Sequence, residues 1–166
     1  MLVTKARRTL LTLVAWLWEQ PQTLLGSSLR LAFHGARYRW FKLDDGVSKT
    51  GPFVLRITGN WGAFSLGQTI LMGLPPGYPG LEPMLRHEAG HSRQSRLLGP
   101  LYLVVIGLPS LLWAGWYTWR YRRGRTKTPH PYGWFYTEAW ADLWAWQGPV
   151  PAEFTQSLVQ TSGDSP

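Results

Sequence analysis

The sequence predicts a single α+β domain. A small antiparallel sheet comes first, then two helices that face one another, with apolar helices set against a membrane. Three observations carry this expectation. Short alternating segments punctuated by Gly and Pro fill residues 37–73. Two later segments place polar, chemistry-bearing residues at helical spacing, around 83–96 and 133–147. Apolar runs at 9–18 and 97–119 each abut a basic cluster. One core suffices for 166 residues. The expected layout is an apolar helical segment at 8–33, the sheet at 37–73, the helices at 83–147 and a tail from 148 to 166.

Taking the elements in order, "TLLTLVAWLW" (9–18) follows Lys5-Ala6-Arg7-Arg8, a layout resembling a signal peptide, and "RRTLL" resembles a twin-arginine signal. Glu19 and Pro21 end the run and no small-residue cleavage site follows. The expectation is therefore a retained helix, broken near Pro21, that lies on a membrane or packs on the domain core. "RYRWFKL" (37–43), "PFVLRIT" (52–58), "GAFSLG" (62–67) and "QTILMG" (68–73) read as strands. The loop "GLPPGYPGLEP" (73–83) leads to a helix. Residues 97–119 hold no charge in 23 positions, about 35 Å as a straight helix. Gly107 and Pro109 are the expected place for a bend.

Composition narrows the function classes. Eleven tryptophans and 14% aromatic residues exclude a disordered chain and suit an interface between apolar and wet surroundings. A net charge of +8 suits an anionic surface. Lipid is favoured over nucleic acid, because the basic clusters, at 5–8 and from Arg120 to Lys127, adjoin apolar runs and no nucleic-acid-binding motif is present. With no cysteine, any metal must be held by histidine and carboxylate.

The chemistry sits in "RHEAGHSRQ" (86–94). His87 and His91, four apart on a helix, share a face and can aim at one ion. Glu88 lies next to His87, near enough to act as a base without being a ligand. A third ligand and an acceptor for a histidine N–H are needed as well. "TEAWAD" supplies both: Glu138 can close the ligand set, and Asp142, one turn on, can hold the far nitrogen of His87. Gln94 and Ser95 could line the cleft. Arg86, Arg93 and Arg96 read as a solvated or headgroup-facing side, and His34 and His130 as surface or core residues rather than ligands.

The pattern HExxH followed by ExxxD resembles the gluzincin, or thermolysin-like, zinc metallopeptidases. That resemblance implies a zincin-like pair of active-site helices, zinc bound by His87, His91 and Glu138, water activated by Glu88, and a histidine oriented by Asp142. The chain is much shorter than a thermolysin. His130, Tyr132 and Tyr136 are the candidates, by nearness to Glu138, for stabilising the transition state. More broadly, "HEAGHSRQS", "LGPLYLVVIGLPS" and "YTEAWAD" are similar to a group of small, uncharacterised, membrane-associated bacterial proteins over about residues 10–147.

The expectation is thus a membrane-associated zinc hydrolase acting on a peptide or protein substrate. A strand within 62–72 could offer its edge to that substrate. The alternative is a non-catalytic membrane protein in which the same residues form a structural metal site or a polar core cluster. Because ligands flank 97–119, a straight membrane crossing would separate them. A hairpin bent near Gly107 and Pro109, or packing on the amino-terminal helix, would keep them together, with the site on the cytoplasmic side.

Overall fold

The structure is a computed structural model. It describes residues 10, 13–14, 17–34, 40–43, 52–57, 61–74, 78–125 and 130–150, so the tail from 151 lies outside the described residues. The fold is α+β. Its elements are α1 (Gln22–Ala32), β1 (Trp40–Lys42), β2 (Phe53–Arg56), β3 (Gly62–Leu66), β4 (Thr69–Gly73), α2 (Leu81–Leu98), α3 (Leu108–Arg122) and α4 (Tyr136–Leu143).

The sheet has the order β1-β2-β4-β3 and is mixed rather than antiparallel throughout. β1 pairs antiparallel with β2 and β3 antiparallel with β4, but β2 and β4 run parallel, Val54 opposite Ile70. Burial explains the departure. Every residue of β4 is buried, whereas β3 exposes Phe64. A simple meander would leave the most apolar strand at the edge; inserting β4 between β2 and β3 covers it on both sides. Gly67, with φ of 58°, makes the tight β3–β4 turn. One core cluster joins Val54, Ile70 and Met72 of the sheet to Leu81, Leu85 and Ala89 of α2 and to Trp146. The amino-terminal half of α2 is thereby fixed on the sheet.

After α2 the chain turns sharply. Leu81–Leu101 and Leu103–Arg122 meet at 120°, and the break falls at Gly99–Tyr102, not at Gly107 and Pro109. Gly99 takes a left-handed φ of 54° and begins a short 3₁₀ turn through Pro100. Gly107 instead closes a π-helical segment, Leu103–Gly107, that runs into α3, where Pro109 takes the second position. Pro109 lacks the N–H that a regular helix would direct at the Val105 carbonyl, and the Tyr136 hydroxyl donates to that carbonyl, at 2.5 Å. Among the described residues no single helix is long and apolar enough to cross a membrane; the bent pair has the length and composition together.

The helix expected over 133–147 is shorter. A 3₁₀ turn (Tyr132–Trp134) precedes α4, which stops at Leu143. Arginines from α2 take the carbonyls beyond it: Arg93 donates to Trp144 and Ala145, and Arg86 to Trp146 and Gly148. Arg96 donates to Glu19 and Gln68. Arg86 and Arg93, half-buried, are therefore clamps between segments, and Arg96 is a clamp as well while remaining exposed, as expected of a solvated side.

α1 follows a break at residues 19–21, as expected near Pro21, and packs on β3 and β4. Its contact face is polar or small. Gln22 donates to Ser95 and to the Gly99 carbonyl, and Gly26 seats against Leu66 and Thr69, where a Cβ would meet the Leu66 carbonyl oxygen at 2.6 Å.

Candidate metal centre

The two halves of the site meet because two helices touch. Gly90 of α2 lies against the backbone of Ala141 in α4, so that a Cβ on Gly90 would come within 2.1 Å of the Ala141 carbonyl oxygen. No residue with a side chain fits there, and the glycine inside HExxH sets the helix separation. α3 braces α4 from the other side. Trp113 donates to the Tyr132 carbonyl at 2.9 Å and stacks on Phe135, while Tyr117 meets Tyr132 edge to face.

At that crossing His87, His91 and Glu138 bring one ligand atom each within 4.8 Å of one another, and the group could hold a metal ion. Glu138 Oε2 lies 3.2 Å from His87 Nε2 and 3.6 Å from His91 Nε2. The rings stand nearly perpendicular, at 88°. Each outer nitrogen has its own acceptor. His87 Nδ1 is 2.6 Å from Asp142 Oδ1, and His91 Nδ1 is 2.8 Å from Gln94 Oε1. The Gln94 amide can point only one way, because its nitrogen donates to the Thr137 carbonyl at 3.1 Å. Its oxygen therefore faces His91 and accepts from Nδ1–H, which in a neutral ring turns the Nε2 lone pair toward Glu138.

Glu138 is almost fully buried. Its other oxygen, Oε1, accepts from Ser110 at 2.5 Å and from Thr137 at 3.0 Å. Burial works to raise its pKa, but the hydrogen bonds from His87 and Ser110 outweigh that and hold it far below the carboxylate range. Burial likewise works to lower His87, and the Glu138 hydrogen bond, the Glu88 charge and Asp142 prevail, raising it to about 9. Two imidazole lone pairs and a carboxylate converging on one point repel unless a cation stands between them. In the metal-free chain a proton on His87 fills that role; the donor set equally suits a divalent ion held by nitrogen and oxygen. Glu88 is buried beside them, with Oε2 lacking any hydrogen-bond partner. Burial pushes its pKa up, against the pull of His91 and His87.

The other candidates divide. Tyr132 interacts through its hydroxyl with Glu138; burial and the charges of Glu138 and Glu88 raise its pKa. The Tyr136 hydroxyl is occupied by Val105, and the His130 ring stacks on Trp134 at 3.9 Å. His34 is exposed. Gln94 and Ser95 are fully buried rather than lining a cleft. The sequence signal for Gln94 was its position, three residues after His91 on the same helix. Gly90 and Ser110 gave no such signal.

Comparison of the chain with protein-family models, with curated proteins and with solved structures finds no match.

Proposed function

We propose that this protein is a membrane-associated zinc-dependent hydrolase, acting on peptide bonds. The observation that supports it best is the convergence of His87 Nε2, His91 Nε2 and Glu138 Oε2, with both outer histidine nitrogens held by Asp142 and Gln94. Three ligands of this type, with second acceptors behind both histidines, match a zinc site that keeps a position open for chemistry. Zinc when bound supplies a Lewis acid and lowers the pKa of water.

The chain's own residues do the rest. Glu88, next to His87 and with one oxygen unpartnered, takes the proton of the attacking water and returns it to the leaving amine. Its desolvated, raised pKa suits a group that must both accept and release that proton. Tyr132, beside Glu138, is the hydroxyl best placed to donate to the oxygen of a tetrahedral intermediate. β3, an edge strand packed beside α2, offers backbone groups to an extended substrate. Two facing helices that carry these residues support reading the pair as zincin-like, and the exposed arginines after α3 favour the cytoplasmic side.

Metal analysis of the purified chain tests the reading. About one zinc per chain is expected, and His87→Ala, His91→Ala and Glu138→Ala should each remove most of it. Glu88→Gln should keep the zinc and lose hydrolysis of a fluorogenic peptide library by at least about 100-fold. Zinc retained at full occupancy in Glu138→Ala would remove the ligand assignment. A zinc-loaded parent chain with no hydrolysis would leave a structural metal site.

A further inference from the structure

The amino-terminal helical segment is built inside out. Among the described residues its buried ones are Glu19, Gln22, Thr23 and Gly26, and its exposed ones include Leu17, Trp18, Leu24, Leu25 and Leu31, the last 79% exposed. A helix on a water-soluble core buries its leucines. Here polar groups are the glue between helices: Glu19 accepts from Thr23, Gln68 and Arg96, and Gln22 donates to Ser95 and Gly99. Small residues permit the close approach. Gly26 abuts Leu66 and Thr69, and Gly99 abuts the Trp18 ring. Polar glue and small contact residues are how helices pack when their outer surface meets lipid.

Apolar residues are exposed again at and beyond the bend. Leu97, Leu101, Val104 (69% exposed), Leu108 and Leu111 (70%) face outward, and α3 buries none of its residues. A groove of about 460 Å³ on α3 runs from Leu111 past Gly115 and Trp119 to Arg122 and Arg123. Its lining is apolar along most of its length and basic at one end, the chemistry that an acyl chain and its phosphate require. The net charge of +8 points to the same partner, an anionic bilayer.

The metal group is tied to this surface at a definite level. Ser110 of α3 donates to Glu138, and Val105, one turn earlier, accepts from Tyr136. From Ser110 to Arg120, where the basic run begins, is ten residues of helix, about 15 Å. That is about half the hydrocarbon thickness of a bilayer. Glu138 and His91 face inward and are buried, and Asp142, on the far side of His87, marks the side of the group that opens to water.

We propose that the amino-terminal helix, the bend at Gly99–Tyr102 and α3 are embedded in an anionic bilayer, and that the metal group works below its interface on peptide segments held in the lipid. The substrate assignment rests on the hydrolase reading above; the embedding does not. The reaction remains hydrolysis: the water oxygen bonds to the carbonyl carbon, the C–N bond breaks, and Glu88 carries the proton to the amine. Water reaches the site at Asp142, whose side chain is exposed.

The chain has no cysteine, so single spin labels report depth. Leu25→Cys, Leu112→Cys and Arg125→Cys variants of the full chain would be labelled in vesicles of phosphatidylcholine with phosphatidylglycerol. Labels at 25 and 112 should relax faster with oxygen than with a water-soluble nickel chelate, and the label at 125 the reverse. A label at 112 as open to the chelate as that at 125 would overturn the embedding. So would protection from both reagents, which would mean that a second copy or another protein covers the face. For the substrate, zinc-loaded parent and Glu88→Gln chains would be incubated with bacterial inner-membrane vesicles and the new peptide termini mapped. Termini that need Glu88 and fall in apolar segments support the assignment; termini confined to water-exposed segments overturn it. No Glu88-dependent terminus would overturn the hydrolase reading and its substrate together, while the spin labels still judge the embedding.

Discussion

Gly90 and Ala141 touch backbone to backbone, and this contact sets the distance between the helix that carries both histidines and the helix that carries Glu138. A methyl on Gly90 would sit 2.1 Å from the Ala141 carbonyl oxygen, with backbone rather than a movable side chain in its way. Gly90→Ala should therefore push the helices apart despite the better helix propensity of alanine. The expected cost is about 1–3 kcal/mol of stability, the usual range for overpacking. Zinc affinity should fall at least about 10-fold, because ligand positions then exceed coordination tolerance. A competitive zinc titration with a thermal melt checks both; an unaffected affinity would show that the helices can separate without disturbing the ligands.

Gln94 fixes the tautomer of His91 by accepting from Nδ1 while donating to the Thr137 carbonyl. Gln94→Leu removes both bonds at a fully buried position. His91 is then free to place its proton on Nε2, where it blocks the metal. Zinc affinity should fall by roughly 10- to 100-fold, the range found when a ligand's outer partner is lost. Nitrogen-15 NMR of the histidine rings would show the shift in tautomer directly. An unchanged Nδ1–H signal would mean that another group holds His91.

The grouping of His87, His91 and Glu138, with Glu88 and Asp142 beside them, was legible because their spacing expresses helix geometry, and geometry is local. What stayed hidden was set by contacts between segments. The parallel pairing of β2 with β4 follows from which strand is buried, which no strand states alone. The bend went to Gly99 because Gln22, from the far end of the chain, takes the Gly99 carbonyl. Arg86, Arg93 and Arg96 look like a charged helix face until the carbonyls of residues 144–148 and the carboxylate of Glu19 are placed beside them. Gln94 was visible on the right helix, but its burial depends on Thr137 of α4.

Proton linkage gives a third prediction. His87 in the metal-free fold has its pKa raised from 6.5 to about 9, so at neutral pH it carries a proton that must leave before a metal can bind. Zinc binding at pH 7 should release about one proton from His87, and affinity should rise roughly tenfold per pH unit between pH 7 and 8.5. The stability of the metal-free chain moves in the opposite sense. A raised folded-state pKa contributes stability that is fully present below the unfolded value of 6.5 and is lost as pH rises through about 9. Calorimetric titration in buffers of different ionisation enthalpy counts the proton. Affinity independent of pH across that window would mean that His87 is already neutral.

Asp142 and Gln94 do the same job for the two histidines, but in different surroundings, and this separates their mutants. The Asp142 side chain is 60% exposed, whereas Gln94 is fully buried. Asp142→Asn keeps an oxygen that can accept from His87 Nδ1 and removes only a charge that solvent already screens. Its zinc affinity should therefore fall by about 10-fold, the lower end of the range for such partners. Asp142→Ala removes the acceptor too, leaving the His87 ring free to turn, and should fall toward about 100-fold. The Asn variant should also lower the pKa of His87 in the metal-free chain, since Asp142 is one of the groups that raise it. Zinc competition on the two variants, with the proton NMR titration of His87, measures each quantity. If Asn and Ala lose affinity equally, the charge rather than the hydrogen bond orients His87. If neither loses any, Glu138 alone holds the ring.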